Sequence, residues 1–118
     1  MSTVLVVEDD ESLRELLADV LAFSGYRVLT AMDGQQALDV AATESPDLVV
    51  SDLMMPVLNG CDLARALRSD PRYRHLPCVA ISGAAELAAQ AGQLFTRVLA
   101  KPFGMVDLVS AIAECLAA

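Results

Sequence analysis

The feature that most constrains the fold is a regular alternation between short apolar runs and segments with helical periodicity. Each apolar run has the length and the aliphatic content typical of a strand buried on both faces. Strands that alternate with helices favour a parallel sheet covered on both sides and joined by right-handed crossovers. The sequence therefore predicts a doubly wound α/β fold with a five-stranded parallel sheet. The predicted strands are 3–7, 27–31, 47–51, 78–81 and 97–100.

Between the strands, apolar side chains recur at the three- and four-residue spacing of amphipathic helices. In the first of these segments the repeat begins at Leu13 and stops before Gly25. Ser12 and Glu15 have the spacing of a capping box, which indicates Ser12 as the N-cap of this helix. Asp33 is the predicted N-cap of the second helix.

Length, charge and cysteine content narrow the class of protein. The chain has 118 residues, enough for one domain with its own core, so residues 1–118 are expected to form a single domain. A net charge of −8 makes direct nucleic acid binding improbable. No apolar run reaches the roughly 18 to 20 residues that span a bilayer, and no secretion signal is evident. We therefore expect a cytoplasmic protein without membrane insertion.

Cys61, Cys78 and Cys115 lack metal-site or disulfide spacing and are expected to be small buried residues.

Polar side chains follow four of the five predicted strands. Glu8 and Asp9 follow the first strand, Asp52 the third, Ser82 the fourth and Lys101 the fifth. In an open parallel sheet, ligands bind beyond the carboxyl ends of the strands, so these side chains should share one crevice. Three carboxylates in one crevice repel one another unless cations neutralise them. Lys101 supplies one positive charge, and Mg²⁺, which prefers oxygen ligands, is the natural second partner.

This arrangement predicts phosphoryl chemistry. A phosphoryl donor in the crevice would meet Asp52 as a carboxylate nucleophile, giving an acyl phosphate. The metal ion, Lys101 and Ser82 would neutralise or hydrogen-bond the oxygens that carry charge during transfer.

Four short motifs in order along the chain resemble those of the receiver domains of two-component response regulators, which include the chemotaxis regulators. They are VLVVEDDE, PDLVVSDLMMPVLNG, AISG and AKPF. Each motif is weak alone, but four at the ends of successive strands are specific, and the resemblance covers essentially the whole chain. It implies a flavodoxin-like sheet with the strand order 2-1-3-4-5.

The resemblance also implies a role for each metal-site residue. Asp52 and Asp9 would bind Mg²⁺ directly, and Glu8 would act largely through a metal-bound water. The backbone carbonyl of Met54 would be the third protein ligand.

The same resemblance implies the route of the phosphoryl group. A histidine kinase or phosphotransfer protein would donate it to Asp52, where Ser82 and Lys101 would contact it. The phosphorylated form would then signal to a downstream target protein or fused domain. Such a switch assists chemistry on itself and processes no external metabolite, so it is not expected to be an enzyme. The Lys101–Pro102 bond is commonly cis in this family.

The sequence departs from the family pattern at three places. Val98 stands where receivers usually carry Tyr or Phe, and valine cannot swing between exposed and buried states as a ring can. The interval from Ser82 to Lys101 is a few residues shorter than usual, which predicts a shortened fourth helix. Met54 lies two positions after Asp52 and cannot orient a water by hydrogen bonding, so slow hydrolysis of the acyl phosphate is expected.

Three other functions compete with the switch. A receiver-like interaction module that signals without phosphorylation stays open, because Val98 and the shortened segment before Lys101 alter the usual route of output. A flavodoxin-like cofactor binder would need a Ser-, Thr- and Gly-rich loop where this chain has acidic residues from Glu8 to Glu11. A phosphatase with an aspartyl nucleophile would want a second acid at the position of Met54.

Overall fold

The strands form one parallel sheet in which each apolar run is buried. A computed structural model describes residues 1–83 and 94–117. All neighbouring strands are parallel, and their order is β2-β1-β3-β4-β5. This confirms the predicted order and the flavodoxin-like sheet. The strands are β1 Thr3–Val7, β2 Arg27–Ala31, β3 Leu48–Asp52, β4 Cys78–Ser82 and β5 Arg97–Ala100.

Four helices lie within the described residues. They are α1 Glu11–Phe23, α2 Gly34–Glu44, α3 Gly60–Ser69 and α4 Met105–Ala117. The first three begin after a side chain that accepts a hydrogen bond from a backbone N–H three residues on, which satisfies an otherwise unpaired donor. These N-caps are Asp10, Asp33 and Asn59. The helix predicted between the fourth and fifth strands lies outside the described residues.

The start of α1 corrects a prediction. Asp10, not Ser12, is the N-cap, and its Oδ1 accepts the Leu13 N–H at 3.1 Å. The Asp10 N–H donates to Glu8 Oε2 at 3.2 Å, which fixes the turn that leads out of β1. Since this turn already aims the Asp10 carboxylate at the first helical turn, the helix begins at Glu11 and includes Ser12.

The sheet has a separate apolar core on each face. Along β1, Leu5 and Val7 face a core formed with α2 and α3, whereas Val4 and Val6 face a core formed with α1 and α4. All four of these side chains are buried. A strand covered on both faces needs apolar residues at every position, which explains the unbroken aliphatic run.

The three cysteines confirm their expected role, since all are free and buried. Burial raises the pKa of the Cys78 thiol to about 11. Among the described residues, none of the helices combines the length and the apolar character needed to cross a bilayer.

Candidate functional site

The sheet topology brings the predicted site residues to one edge. Backbone hydrogen bonds continue the strand pairing there, from the Glu8 N–H to Ala31 O at 3.0 Å and from the Lys101 N–H to Ser82 O at 2.8 Å. One carboxylate oxygen from each of three acidic residues lies within 4.8 Å of the others, and these residues are Glu8, Asp9 and Asp52. Asp9 is exposed, whereas the other two are buried.

Both side-chain oxygens of Asp52 accept hydrogen bonds. The Met54 N–H donates to Oδ1 at 3.0 Å, and the Lys101 ammonium donates to Oδ2 at 2.8 Å. Asp52 is only 5% exposed. The carboxylate is thus held in one orientation, with a cation on one oxygen and a backbone donor on the other.

Glu8 is the most unusual group of the site. Its Oε2 accepts the Asp10 N–H, but its Oε1 is buried and has no hydrogen-bond partner among the described residues. Lys101 Nζ lies 4.0 Å from Oε1. Burial raises the pKa of Glu8 to about 8. The hydrogen bond from the Asp10 N–H lowers the pKa of Glu8, whereas the neighbouring Asp52 and Asp9 raise it further.

Lys101 keeps its charge at this site. Burial alone would lower the pKa of its ammonium, but the hydrogen bond to Asp52 and the charges of Asp52, Glu8 and Asp9 outweigh that effect and raise the pKa. Among the described residues, one ammonium lies with three carboxylates, which leaves negative charge in excess.

The donor set suits a hard divalent cation. It consists of carboxylate oxygens from Glu8, Asp9 and Asp52, with the partnerless Glu8 Oε1 among the buried atoms. A buried carboxylate oxygen without a partner is costly, and a cation would remove that cost. Magnesium prefers such oxygen ligands. The Met54 N–H donates a hydrogen bond to Asp52 Oδ1, while the Met54 side chain is exposed.

Ser82 lies buried at the end of β4, the strand between β3 and β5. Its backbone carbonyl accepts a hydrogen bond from the Lys101 N–H, which holds Ser82 next to Lys101. The Lys101–Pro102 peptide bond is cis, as the resemblance implied.

Two close contacts explain why glycine occupies positions around the site. A Cβ at Gly60 would lie 2.5 Å from the carbonyl oxygen of Asp52, so α3 begins where only glycine fits. A Cβ at Gly34 would lie 2.5 Å from the carbonyl oxygen of Leu58. Gly83 differs, because a Cβ there would make only ordinary contacts with Lys101.

Sequence reasoning missed two features. Arg14 donates from its guanidinium to the backbone carbonyl of Glu8 at 2.9 Å, which ties α1 to the end of β1. Val57 has a φ of +68° in the loop after β3. Neither has a local signal, since arginines on amphipathic helices usually face solvent and valine disfavours positive φ.

Val98, which stands where receiver domains usually carry Tyr or Phe, lies in β5 opposite Ala80 of β4. Its side chain is partly buried and packs against the core on the α2 and α3 face.

Comparisons with known proteins agree on one family. The family model described as the response regulator receiver domain matches residues 4–113. The response regulator MprA of Mycolicibacterium vanbaalenii is 38% identical over 110 residues, which cover 91% of this chain and 47% of that protein. MprA of Mycobacterium avium is 37% identical with the same coverage. The chain thus spans about half the length of these relatives.

Solved receiver structures have the same fold. The signal receiver domain of a signal transduction histidine kinase from Syntrophus aciditrophicus superimposes with a TM-score of 0.92 at 26% identity, covering 99% of this chain and 91% of that one. The chemotaxis response regulator CheY4 of Vibrio cholerae gives 0.90 at 30% identity, covering 98% of each chain. The response regulator TrrA from Thermotoga maritima, in complex with Mg(2+)-BeF, gives 0.89 at 25% identity, covering 98% and 99%.

Proposed function

The chain belongs to the response regulator receiver domain family, and on that premise we propose that Asp52 accepts a phosphoryl group and thereby switches the signalling state of the domain. The observation that carries the proposal is the setting of the Asp52 carboxylate. It is buried at a strand end, bound by the Lys101 ammonium at 2.8 Å and grouped with the carboxylates of Glu8 and Asp9.

Transfer to Asp52 forms a bond between a carboxylate oxygen and phosphorus and breaks the phosphorus–nitrogen bond to a phosphohistidine of the donor. The hydrogen bonds from Met54 and Lys101 fix the nucleophile before the donor arrives. The Lys101 ammonium and the Ser82 hydroxyl contact the phosphoryl oxygens, where charge is concentrated during transfer.

Mg²⁺ fits the excess of negative charge at the site. Asp9 and Asp52 would hold it directly, Glu8 through water, and Met54 by its backbone carbonyl. When bound, the ion supplies the positive charge that lets the phosphoryl group approach three carboxylates.

The phosphoryl donor is a histidine kinase or phosphotransfer protein in the cytoplasm. The phosphorylated form is recognised by a downstream target protein or a fused domain. Residues 1–118 form one receiver domain, which acts on itself and turns over no external substrate. A receiver-like interaction module that signals without phosphorylation is the second candidate. It is favoured by Val98, whose stiff side chain cannot make the ring movement typical of the family, and by the short interval from Ser82 to Lys101.

The test is incubation with acetyl phosphate and Mg²⁺, followed by intact-mass measurement. Wild-type protein should gain the mass of one phosphoryl group, and Asp52→Asn should gain none. Asp39→Asn removes an exposed carboxylate on α2 and serves as the matched control, which should be labelled like the wild type. Equal labelling of wild type and Asp52→Asn would reject Asp52 as the acceptor, and an unlabelled wild type would favour the interaction module.

A further inference from the structure

Arg14 reaches back from α1 to the end of β1. Its guanidinium donates to the backbone carbonyl of Glu8 at 2.9 Å, and its own N–H donates to the backbone carbonyl of Asp10 at 2.9 Å. The Glu8 N–H donates to Ala31 O at 3.0 Å, so both backbone polar groups of Glu8 are paired. Arg14 therefore holds the backbone where it leaves the sheet and again where it enters α1.

The turn between these two points carries two of the three carboxylates that suit a cation. They belong to Glu8 and Asp9, and one oxygen of each lies within 4.8 Å of an Asp52 oxygen. The Asp10 N–H donates to Glu8 Oε2 at 3.2 Å, and Asp10 Oδ1 accepts the Leu13 N–H at 3.1 Å. Asp9 is the exposed residue in the middle of this turn, so the position of its carboxylate depends on the backbone to either side.

Ion pairing does not account for Arg14. The acidic run from Glu8 to Glu11 lies just before it in the sequence, yet its guanidinium forms no ion pair with a carboxylate of the described residues. A positive charge near the site would also repel Mg²⁺ and so weaken metal binding. The guanidinium instead meets a backbone carbonyl, and its planar set of donors suits a fixed geometry.

We propose that Arg14 is a positioning residue for the metal site, which holds the turn of Glu8 and Asp9 in the geometry that binds Mg²⁺. The inference rests on the proposed function, in which Mg²⁺ occupies this site, and adds a residue outside the donor set. Arg14 acts through the Glu8 carbonyl. Groups that orient metal ligands from outside the donor set typically contribute about 10- to 100-fold to metal affinity.

The test is a Mg²⁺ titration of the metal-free protein, followed by the NMR amide resonances of Asp9 and Asp10. Arg14→Met keeps the apolar stem but removes the donor, so it should weaken Mg²⁺ affinity about tenfold. Arg14→Lys should recover most of the affinity, because one ammonium N–H can serve the single carbonyl. Arg74→Met is the matched control, which removes the same charge from an exposed arginine after α3 and should bind Mg²⁺ like the wild type.

The sign of the change separates positioning from charge. If Arg14 acted only as a cation, its removal would strengthen Mg²⁺ binding, so unchanged or tighter binding in Arg14→Met would overturn the proposal. An equal loss of affinity in Arg74→Met, or no recovery in Arg14→Lys, would overturn it as well.

A second measurement separates positioning from damage to the fold. At saturating Mg²⁺, acetyl phosphate should label Arg14→Met at the wild-type rate, because the substitution changes affinity for the ion and not the acceptor. Labelling that stays slow at saturating Mg²⁺ would contradict the proposal. An unlabelled wild type would reject Asp52 as the acceptor, whereas the Mg²⁺ affinities, measured without a phosphodonor, decide the role of Arg14.

Discussion

Individual side chains set the electrostatics of the site. Lys101 lies 2.8 Å from Asp52 Oδ2 and 4.0 Å from Glu8 Oε1, and it is the ammonium that faces the three carboxylates. Glu8 is buried with Oε1 unpartnered among the described residues, and burial raises its pKa to about 8. The metal-free site therefore holds a proton near neutral pH that a bound cation would displace.

This proton predicts a pH dependence of stability. Between about pH 4.5 and about pH 8, folded protein keeps the Glu8 proton that the unfolded chain has lost, so stability falls as pH rises. In EDTA, the free energy of unfolding measured by urea titration should fall over this range in wild type. The Glu8 contribution to that fall should vanish in Glu8→Gln, so the variant should gain stability relative to wild type as pH rises from about 4.5 to about 8.

Glu15→Gln is the matched control, because it neutralises an exposed glutamate on α1. It should keep the wild-type pH dependence. Parallel curves for wild type and Glu8→Gln would show that Glu8 does not carry the proton.

Met54 should govern the lifetime of the phosphorylated state. Its N–H donates to Asp52 Oδ1, its side chain is exposed, and a thioether cannot donate a hydrogen bond that aligns a water molecule for attack on the acyl phosphate. Met54→Asn supplies a hydrogen-bonding amide and should speed hydrolysis several-fold, as followed by intact mass after removal of the phosphodonor. Met54→Leu, which stays apolar, should decay like wild type. Unchanged or slower decay in Met54→Asn would contradict this role.

Residue type and position predicted which side chains meet at the site, because strand ends in a parallel sheet share one edge. Distances and protonation could not be predicted in the same way. The partnerless Oε1 of Glu8 depends on the Asp10 N–H taking the other oxygen. The positive φ of Val57 lies next to Leu58, whose carbonyl accepts the Gly34 N–H from a distant part of the sequence.

At the scale of elements, capping decides where α1, α2 and α3 begin. Asp33 was predicted as a cap and is one, since its Oδ1 accepts the Gln36 N–H at 2.8 Å. Ser12 has the spacing of a capping box, but Asp10 is the N-cap, so α1 begins before Ser12. Spacing motifs locate a helix start to within about a turn, whereas the geometry of the preceding strand end fixes the residue.

The cap of α1 can be tested with charge held constant. Asp10→Ala and Asp10→Ser both remove a carboxylate near the site, but only serine can accept the Leu13 N–H. We expect Asp10→Ala to be about 1 kcal/mol less stable than Asp10→Ser in urea unfolding. Ser12→Ala should change stability by less than about 0.5 kcal/mol. A larger loss at Ser12 than at Asp10 would restore Ser12 as the cap.

For the whole molecule, the alternation of strands and helices was enough to predict the sheet. Two buried faces require unbroken aliphatic strands, and β1 fills both cores. Right-handed crossovers then place α2 and α3 on one face and α1 and α4 on the other. The same topology brings four strand ends, and the site residues with them, to one edge.

The central claim is that this edge directs a phosphoryl group to Asp52. The most direct measurement is borohydride reduction of protein treated with acetyl phosphate and Mg²⁺, followed by peptide mapping, because borohydride converts an aspartyl phosphate to homoserine. We expect homoserine at position 52, dependent on both reagents and abolished when EDTA replaces Mg²⁺. Homoserine at Asp9 or at another carboxylate, or none at all, would contradict the claim.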